Sequence, residues 1–153
     1  MPEVFTVERV IPAEPGAIFD LLADPSRHHD IDGSGTVGAA KTGSERLALG
    51  SRFGMSMKRG VSYSMVSEVV EFDEDQRIAW QTRGGGRIGR HFGGRVWRYD
   101  LEPVDGGTRV RESWDIQEEM LVFKPLVRLG AKTVKKDMTA TLERIEQVVA
   151  GSS

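Results

Sequence analysis

Hydrophobic and polar residues alternate most regularly between positions 77 and 116. Two stretches there have an apolar residue at every second position, which is typical of β-strands with one face against a core. An Asp105-Gly106-Gly107 turn separates the two stretches, so the pattern predicts an antiparallel hairpin with its apolar side chains on one face. These apolar positions are Trp97, Tyr99 and Leu101 in the first strand, and Val110, Trp114 and Ile116 in the second.

Shorter alternating stretches predict further strands before this hairpin. They cover Val4 to Ile11, about Thr36 to Lys41, Ser51 to Lys58, Val61 to Phe72 and Arg77 to Arg83. Helical spacing of apolar residues over Glu14 to Ala23 predicts a short helix after the first strand. Asp24 followed by Pro25 is typical of the N-cap and first position of a second short helix, which we expect to reach His29.

The C-terminal region changes from the strand period to the helix period. Apolar residues recur three and four positions apart from Val127 to Val149, which predicts one amphipathic helix of about 30 Å or more. We expect Pro125 in its first turn, where a missing N–H does no harm. This helix is the only predicted element long enough to cover the apolar face of the sheet. Since the sheet and the helix cannot pack flush along their whole length, we expect a ligand site in the gap between them.

Several short motifs accompany this order of elements. They are Ala13-Glu14-Pro15 followed by residues 18–25 (IFDLLADP), Asp32-Gly33-Ser34-Gly35, Gly106-Gly107-Thr108-Arg109-Val110 with Glu112-Ser113-Trp114, and Leu142-Glu143-Arg144-Ile145. With them the chain resembles the START-like (SRPBCC) superfamily, in particular the bacterial polyketide cyclase/dehydrase and lipid-transport group, over essentially its whole length.

The resemblance implies an α+β helix-grip fold in one domain over residues 1–153. In that fold a curved antiparallel sheet of about six or seven strands wraps around a long C-terminal helix, and two short helices follow the first strand. The superfamily mixes carriers, cyclases, hydroxylase domains and chaperone activators. Its members share a cavity rather than a catalytic motif, so the resemblance implies no particular catalytic residue.

Composition narrows the classes of partner. With 153 residues, 39% of them hydrophobic and 29% charged, the chain is large enough for one sizeable core. The net charge of −2 and the lack of a wide basic stripe argue against nucleic acid. The absence of cysteine removes disulfides, thiolate nucleophiles and cysteine-bound zinc. We read no signal peptide and no apolar run near the roughly 20 residues of a membrane span, so we predict a cytoplasmic protein.

A glycine-rich stretch between the fifth and sixth strands matches the letters of a dinucleotide fingerprint over residues 84–89. The fingerprint requires a following helix, whereas here a strand follows, so we predict a hairpin tip and no cofactor. Basic residues at this tip suit an acidic head group or phosphate, although we favour a solvated loop. They are Arg83, Arg87, Arg90, His91 and Arg95.

The His28-His29-Asp30 segment, with Asp24 and Asp32 close by, invites a metal interpretation. Adjacent residues cannot all converge on one ion, so we predict no metal site. A catalytic histidine near the cavity mouth is conceivable, but the sequence does not place it. A Ser-His-Asp hydrolase is not indicated, because residues 33–35 (GSG) lack the spacing of a nucleophile elbow.

Glu112 is the one acidic residue on the apolar face of the last strand. A carboxylate is rarely buried without a partner, so Glu112 is either a cavity acid or half of a structural ion pair, for example with Arg95. Burial would raise its pKa and a nearby arginine would lower it. Apolar and polar candidates for binding a ligand beside it share predicted inward positions. They are Met55, Met57, Tyr63, Met65, Trp80, Trp97, Tyr99, Glu112, Trp114 and Met138.

These observations favour a module that binds a hydrophobic or aromatic small molecule, lipid- or polyketide-like, between sheet and helix. The first alternative is a cyclase or dehydratase, with Glu112 as the best candidate for its acid or base. The second alternative is a protein-interaction or chaperone-partner role. Whether the chain is an enzyme, a monomer or a homodimer, and whether the cavity is open or filled by side chains, are questions that the sequence leaves open.

Overall fold

In the residues that the structure describes, the elements follow the predicted order: a strand, two short helical segments, six strands and a long helix. The computed structural model describes residues 4–31, 37–42, 46–59, 61–84, 93–117, 125 and 129–151, without the side chains of 29, 37–42, 55–59, 61–64 and 151. The elements are β1 (Val4–Ile11), α1 (Pro15–Leu22), a 3-10 turn (Pro25–Arg27), α2 (His28–Ile31), β2 (Val37–Thr42), β3 (Arg52–Arg59), β4 (Val61–Asp73), β5 (Arg77–Gly84), β6 (Gly93–Val104), β7 (Gly107–Asp115) and α3 (Ala131–Gly151).

Within these residues the strands form one antiparallel sheet in the order β1-β7-β6-β5-β4-β3-β2. Neighbours in the sequence are neighbours in the sheet, except that β1 pairs with β7. The predicted hairpin turn is confirmed between β6 and β7, where Gly106 and Gly107 both have positive φ. A Cβ on Gly107 would lie 2.0 Å from the carbonyl oxygen of Ile11, so only glycine fits where the hairpin passes the end of β1.

The helix α3 covers the predicted face of the sheet, which we call the inner face. Leu142 and Ile145 are buried, as expected, in a cluster with Val110 and Leu101 of the hairpin strands. Met138, earlier in the helix, lies in a second cluster with side chains at the end of β7. The amphipathic period of the C-terminal region therefore places these helix residues against the sheet, in a helix-grip arrangement.

The described part of the long helix begins after a glycine. α3 starts at Ala131, after a turn at Gly130, because glycine is unfavourable inside a helix. Pro125 and Leu129, which precede this turn, are helical as well. The neighbours of Pro125 lie outside the described residues, so its place in a first helical turn stays a prediction. Val127, where the apolar pattern starts, lies outside the described residues.

Polar contacts fasten the other helical segments to this core. The hydroxyl of Thr108 donates to the carbonyl oxygen of Ala13 at 2.7 Å, which ties the start of β7 to the turn before α1. Asp24 is the predicted N-cap, since the backbone N–H of Ser26 donates to its carboxylate at 3.0 Å. Arg144 of α3 donates to the carbonyl oxygen of Asp30 at 2.9 Å and so holds α2 against the long helix.

The two ends of the inner face differ in what surrounds them. At the α1 end lie the turns β4–β5 and β6–β7 and the helix α1, whose Phe19 packs edge-on to Phe72 at 5.4 Å between ring centroids. At the far end β1 and β6 begin and β5 and β7 end. Ala131 and Val134 of the first turns of α3 lie near this far end, because they pack against the cluster at the end of β7.

Candidate functional site

Backbone register brings the predicted face of the β6–β7 hairpin together. Trp97 pairs with Trp114 and Tyr99 pairs with Glu112 across the two strands. Trp114 is buried in one cluster with Met138 of α3, so this face turns toward the long helix. The predicted register is therefore confirmed, and with it the inward position of the central acid.

Aromatic residues of four adjacent strands form a row across the inner face. Trp114 of β7 lies between Phe5 of β1, at 5.7 Å between ring centroids, and Trp97 of β6, at 5.9 Å. Trp97 in turn pairs in register with Trp80 of β5, whose ring is 5.6 Å from that of Tyr99. Trp97 is only half-buried, unlike Trp80, Tyr99 and Trp114. The row thus offers a broad apolar surface with an accessible part at its middle.

A buried donor lies within this row. The indole N–H of Trp114 has no hydrogen-bond acceptor among the described residues, and its atom is removed from solvent. Most buried indole N–H groups find a partner, because leaving one unsatisfied costs about 1–3 kcal/mol. An acceptor oxygen on a bound molecule would satisfy this donor.

Glu112 occupies the centre of the inner face. Its register neighbours are Val7 of β1 and Tyr99 of β6, and it is 2% exposed. Arg95, the ion-pair partner considered from the sequence, lies four residues before Tyr99 on β6, about 13 Å along the strand. Glu112 and Arg95 are therefore not cross-strand neighbours. The carboxyl group lies one register step from the aromatic row, toward the α1 end.

His28 belongs to the packed core and not to a cavity mouth. Its ring stacks on Trp80 at 4.9 Å and meets Phe53 edge-on at 5.3 Å. Nε2 lies 2.9 Å from the carbonyl oxygen of Leu22 and donates to it. Burial lowers the pKa of His28, against the opposing effects of the Leu22 carbonyl and the Asp24 charge. The imidazole is therefore neutral at pH 7, with its proton on Nε2.

A polar row crosses the inner face next to the aromatic row, on the side of the far end. Ser67 of β4, Thr82 of β5 and Arg95 of β6 are successive register partners. The hydroxyls of Ser67 and Thr82 lie 2.8 Å apart, and Ser67 is 4% exposed. This row differs from the prediction for Arg95, which the clustered glycines and arginines had favoured as part of a hairpin tip. The strand period of two indicates this row in the sequence, because Arg95 lies two residues before Trp97 and Thr82 lies two residues after Trp80, on the same face.

The methionine candidates lie on the β3–β4 side of the sheet, away from the hairpin. Met65 of β4 is half-buried and pairs in register with Met55 of β3, while Tyr63 pairs with Met57. The side chains of Met55, Met57 and Tyr63 lie outside the described ones, so their part in a site stays a prediction. Arg87, Arg90 and His91 of the predicted hairpin tip lie outside the described residues altogether.

A groove of about 430 Å³ lies on the outer face of the sheet, opposite to α3. Arg77, Asp100 and Arg111 are among its lining residues, and they are held in ion pairs. Arg77 Nε lies 2.6 Å from Asp100 Oδ1, and Arg111 Nη2 lies 3.1 Å from Glu8 Oε2. This polar groove is not the apolar gap expected between sheet and helix. That gap stays a prediction for the far end, since the α1 end is filled by the core cluster.

The described residues also bear on metal sites and on membrane spans. No three His, Asp or Glu side chains come together as a metal site would require, in the part of the chain that the structure describes. Among the same residues, no helix is both long enough and apolar enough to cross a bilayer.

Comparisons with known proteins place the fold in a family. A family model described as polyketide cyclase/dehydrase and lipid transport matches residues 2–150. An uncharacterized protein of Mycobacterium tuberculosis, Rv0088, is 33% identical over 112 residues, which are 72% of this chain and 45% of that protein. The chain thus spans about half the length of the curated relatives that it matches.

Solved structures show the same fold. The protein Ms6760 of Mycobacterium smegmatis superposes with a TM-score of 0.74 at 16% identity, covering 99% of this chain and 93% of that chain. DynU16, a protein of the dynemicin biosynthetic locus, superposes with a TM-score of 0.70 at 12% identity, covering 100% of this chain and 49% of that chain. At identities this low the likeness shows the fold alone.

Proposed function

Because the chain belongs to the polyketide cyclase/dehydrase and lipid-transport family, we propose that it binds a hydrophobic or aromatic small molecule against the inner face of its sheet, toward the far end. The observation that carries this proposal is the row of four aromatic rings from Phe5 to Trp80, with Trp97 only half-buried at its middle. Aromatic side chains supply a large apolar contact area at low cost in conformational entropy.

The buried indole N–H of Trp114 supports a ligand that carries an acceptor oxygen. Carbonyl and hydroxyl oxygens alternate along polyketide-like molecules, and one of them against this N–H would complete a hydrogen bond inside an apolar contact. Such a bond adds orientation to a contact that is otherwise non-directional. A cytoplasmic location and a monomeric or homodimeric state remain part of this proposal.

Native mass spectrometry of the purified chain is the first test. A mass above the 16.9 kDa of the chain would reveal a co-purified ligand. A fluorescence titration with N-phenyl-1-naphthylamine, a neutral aromatic probe, is the second test, and we expect saturation at one molecule per chain. The proposal is wrong if neither a co-purified ligand nor saturable binding of this probe is found.

The second candidate function is a cyclase or dehydratase. It rests on Glu112, a buried carboxyl one register step from the aromatic row, where it would meet a molecule lying on those rings. In a dehydration it would give its proton to the departing hydroxyl group, which leaves as water, and would recover a proton from the neighbouring carbon. Turnover of a polyketide analogue that disappears in Glu112→Gln would favour this function. The protein-interaction alternative has no supporting observation in the described part of the chain.

A further inference from the structure

We propose that the ligand carries one acidic oxygen-bearing group, a carboxylate, sulfonate or phosphate, and that Arg95, Thr82 and Ser67 bind it. This inference rests on the proposed function and adds the chemical class of the ligand: an aromatic or apolar body with an anionic end. It also adds an orientation, with the anionic end toward the far end of the sheet.

The position of the polar row supports this assignment. Thr82 pairs with Arg95 and Ser67 pairs with Thr82, so the three residues cross three adjacent strands on the inner face. Trp80 and Trp97 form the next pair on that face, about 7 Å away along the strands. His28 stacks on Trp80, so a flat ring system would lie on the half-buried Trp97. A substituent at the end of that ring system would then meet the polar row.

Charge on the inner face favours one orientation of such a ligand. At the α1 end, Arg9 is held by Glu146, with 3.2 Å between Nε and Oε1. Glu112 lies on the α1 side of the aromatic row, and Arg95 lies on its other side. A ligand anion turned toward Glu112 would meet a second carboxyl group, whereas turned toward Arg95 it would meet a guanidinium.

The hydroxyl pair adds directed donors to this charge. Ser67 is buried and Thr82 is half-buried, with their oxygens 2.8 Å apart. When the Ser67 hydroxyl donates to Thr82, the Thr82 hydroxyl has its own proton to donate onward to a ligand oxygen. A guanidinium fork with a hydroxyl beside it matches the geometry of a planar or tetrahedral oxyanion.

A matched pair of probes tests the inference. N-phenyl-1-naphthylamine and 1-anilinonaphthalene-8-sulfonate share one aromatic scaffold, and only the second carries a sulfonate. A hydrogen bond to a charged group contributes about 1.5–3 kcal/mol, so we expect the wild-type chain to bind the sulfonate about 10–100-fold more tightly than the neutral probe. Arg95→Gln should abolish this preference and leave the affinity for the neutral probe unchanged. Arg95→Lys should retain part of the preference for the sulfonate. Thr82→Val should reduce this preference by less than Arg95→Gln does.

Arg111→Gln is the control, since Arg111 lies on the outer face in an exposed ion pair with Glu8 and carries the same charge. It should leave both affinities unchanged. Equal loss of sulfonate binding in this variant would show adsorption to surface charge and would overturn the inference. A wild-type chain that binds both probes equally would also overturn it. If the neutral probe does not bind at all, the proposed function fails first, and the two failures are thus distinguishable.

Circular dichroism and thermal melting show whether each variant is folded before its affinities are compared. If Arg95→Gln does not fold, the inference is tested by the sulfonate preference of Arg95→Lys and Thr82→Val. The ionic-strength dependence of binding to the wild-type chain is the further test. A preference for the sulfonate that does not weaken from low to moderate salt would contradict an arginine-based contact and overturn the inference.

Discussion

The α1 end and the far end of the inner face differ in how completely their side chains are packed. At the α1 end Ile78, Leu101, Val110, Leu142 and Ile145 fill the space between sheet and helix in one buried cluster. At the far end Trp97, Thr82 and Met65 are only half-buried, on the same face of the sheet. Close packing gives stability, and incomplete packing beside an aromatic row gives a surface for a guest. The comparison therefore predicts that substitutions at the two ends affect different measurements.

The largest effect is expected at the α1 end. Leu142→Ala should lower the free energy of unfolding by about 2–5 kcal/mol, because a buried leucine loses its contacts and leaves a cavity. Chemical denaturation measures the change. Leu129→Ala is the matched control, since Leu129 is 82% exposed and its truncation should cost little. An unchanged midpoint in Leu142→Ala would mean that the helix is peripheral to the fold.

The second effect is expected at the far end, on binding. Trp97→Ala should weaken N-phenyl-1-naphthylamine by tenfold or more, because the accessible ring in the aromatic row is lost. Fluorescence titration gives the affinity, and we expect a smaller loss of stability than in Leu142→Ala. Val66→Ala, on the outer face, is the control and should bind the probe normally. Equal affinities in both variants would place the ligand elsewhere.

A pH effect is expected at His28, which is buried against Trp80 and Phe53. Its pKa is lowered in the folded chain, so below about pH 6.5 the unfolded chain takes up a proton that the folded chain does not. Stability should therefore fall as the pH drops from 6.5 toward 5, and urea denaturation across this range measures the slope. Glu71 should contribute little to this slope. Its hydrogen bond with Arg98 lowers its pKa, so the stability that it contributes is lost only as the pH falls below about 4.5, the ordinary value for a glutamate.

The variant His28→Phe separates titration from packing. It keeps an aromatic ring against Trp80 and Phe53 but removes the ionisable group and the bond to the Leu22 carbonyl. We expect a loss of about 1 kcal/mol at every pH and no slope between pH 6.5 and 5. A slope that persists in this variant would assign the effect to other groups.

The smallest effect on stability is expected from a substitution of Glu112, which lies between the two ends. Glu112→Gln keeps the shape of the side chain and removes its titration. If Glu112 serves the ligand, this variant should alter affinity or turnover, or their pH dependence, between pH 5 and 8. Unchanged binding and unchanged activity across this range would assign Glu112 to the core, and the binding surface would then begin at the aromatic row.

The strands and the pairing of β6 with β7 could be predicted from the sequence, and the reasons are local. A period of two determines which face each residue occupies, so the alternation alone predicts that Trp97, Tyr99, Glu112 and Trp114 share one face. The β6–β7 turn was recognisable because its glycines occupy conformations that other residues rarely adopt.

Features that depend on contacts between distant parts of the chain could not be predicted from local patterns. No local pattern indicates that His28 stacks on Trp80, because the two residues lie far apart in the sequence and meet only when α2 packs on the sheet. Arg95 was assigned to a hairpin tip because glycine and arginine cluster there, whereas β6 already begins at Gly93. The turn at Gly130 was not predicted, because the apolar period of the C-terminal region continues across it.

The pairing of β1 with β7 has a consequence for how the chain is made. These strands are joined by contacts such as Thr6 with Ser113, which are separated by 107 positions. At about 5–20 residues per second of synthesis, β1 waits roughly 5–20 s for its partner, and until then its backbone edge is open. Nascent chains that stop before β7 would leave β1 without its partner and would leave β6 with an open edge on the side opposite to β5. Such products are the ones that a chaperone must shield, and they would aggregate through these two edges.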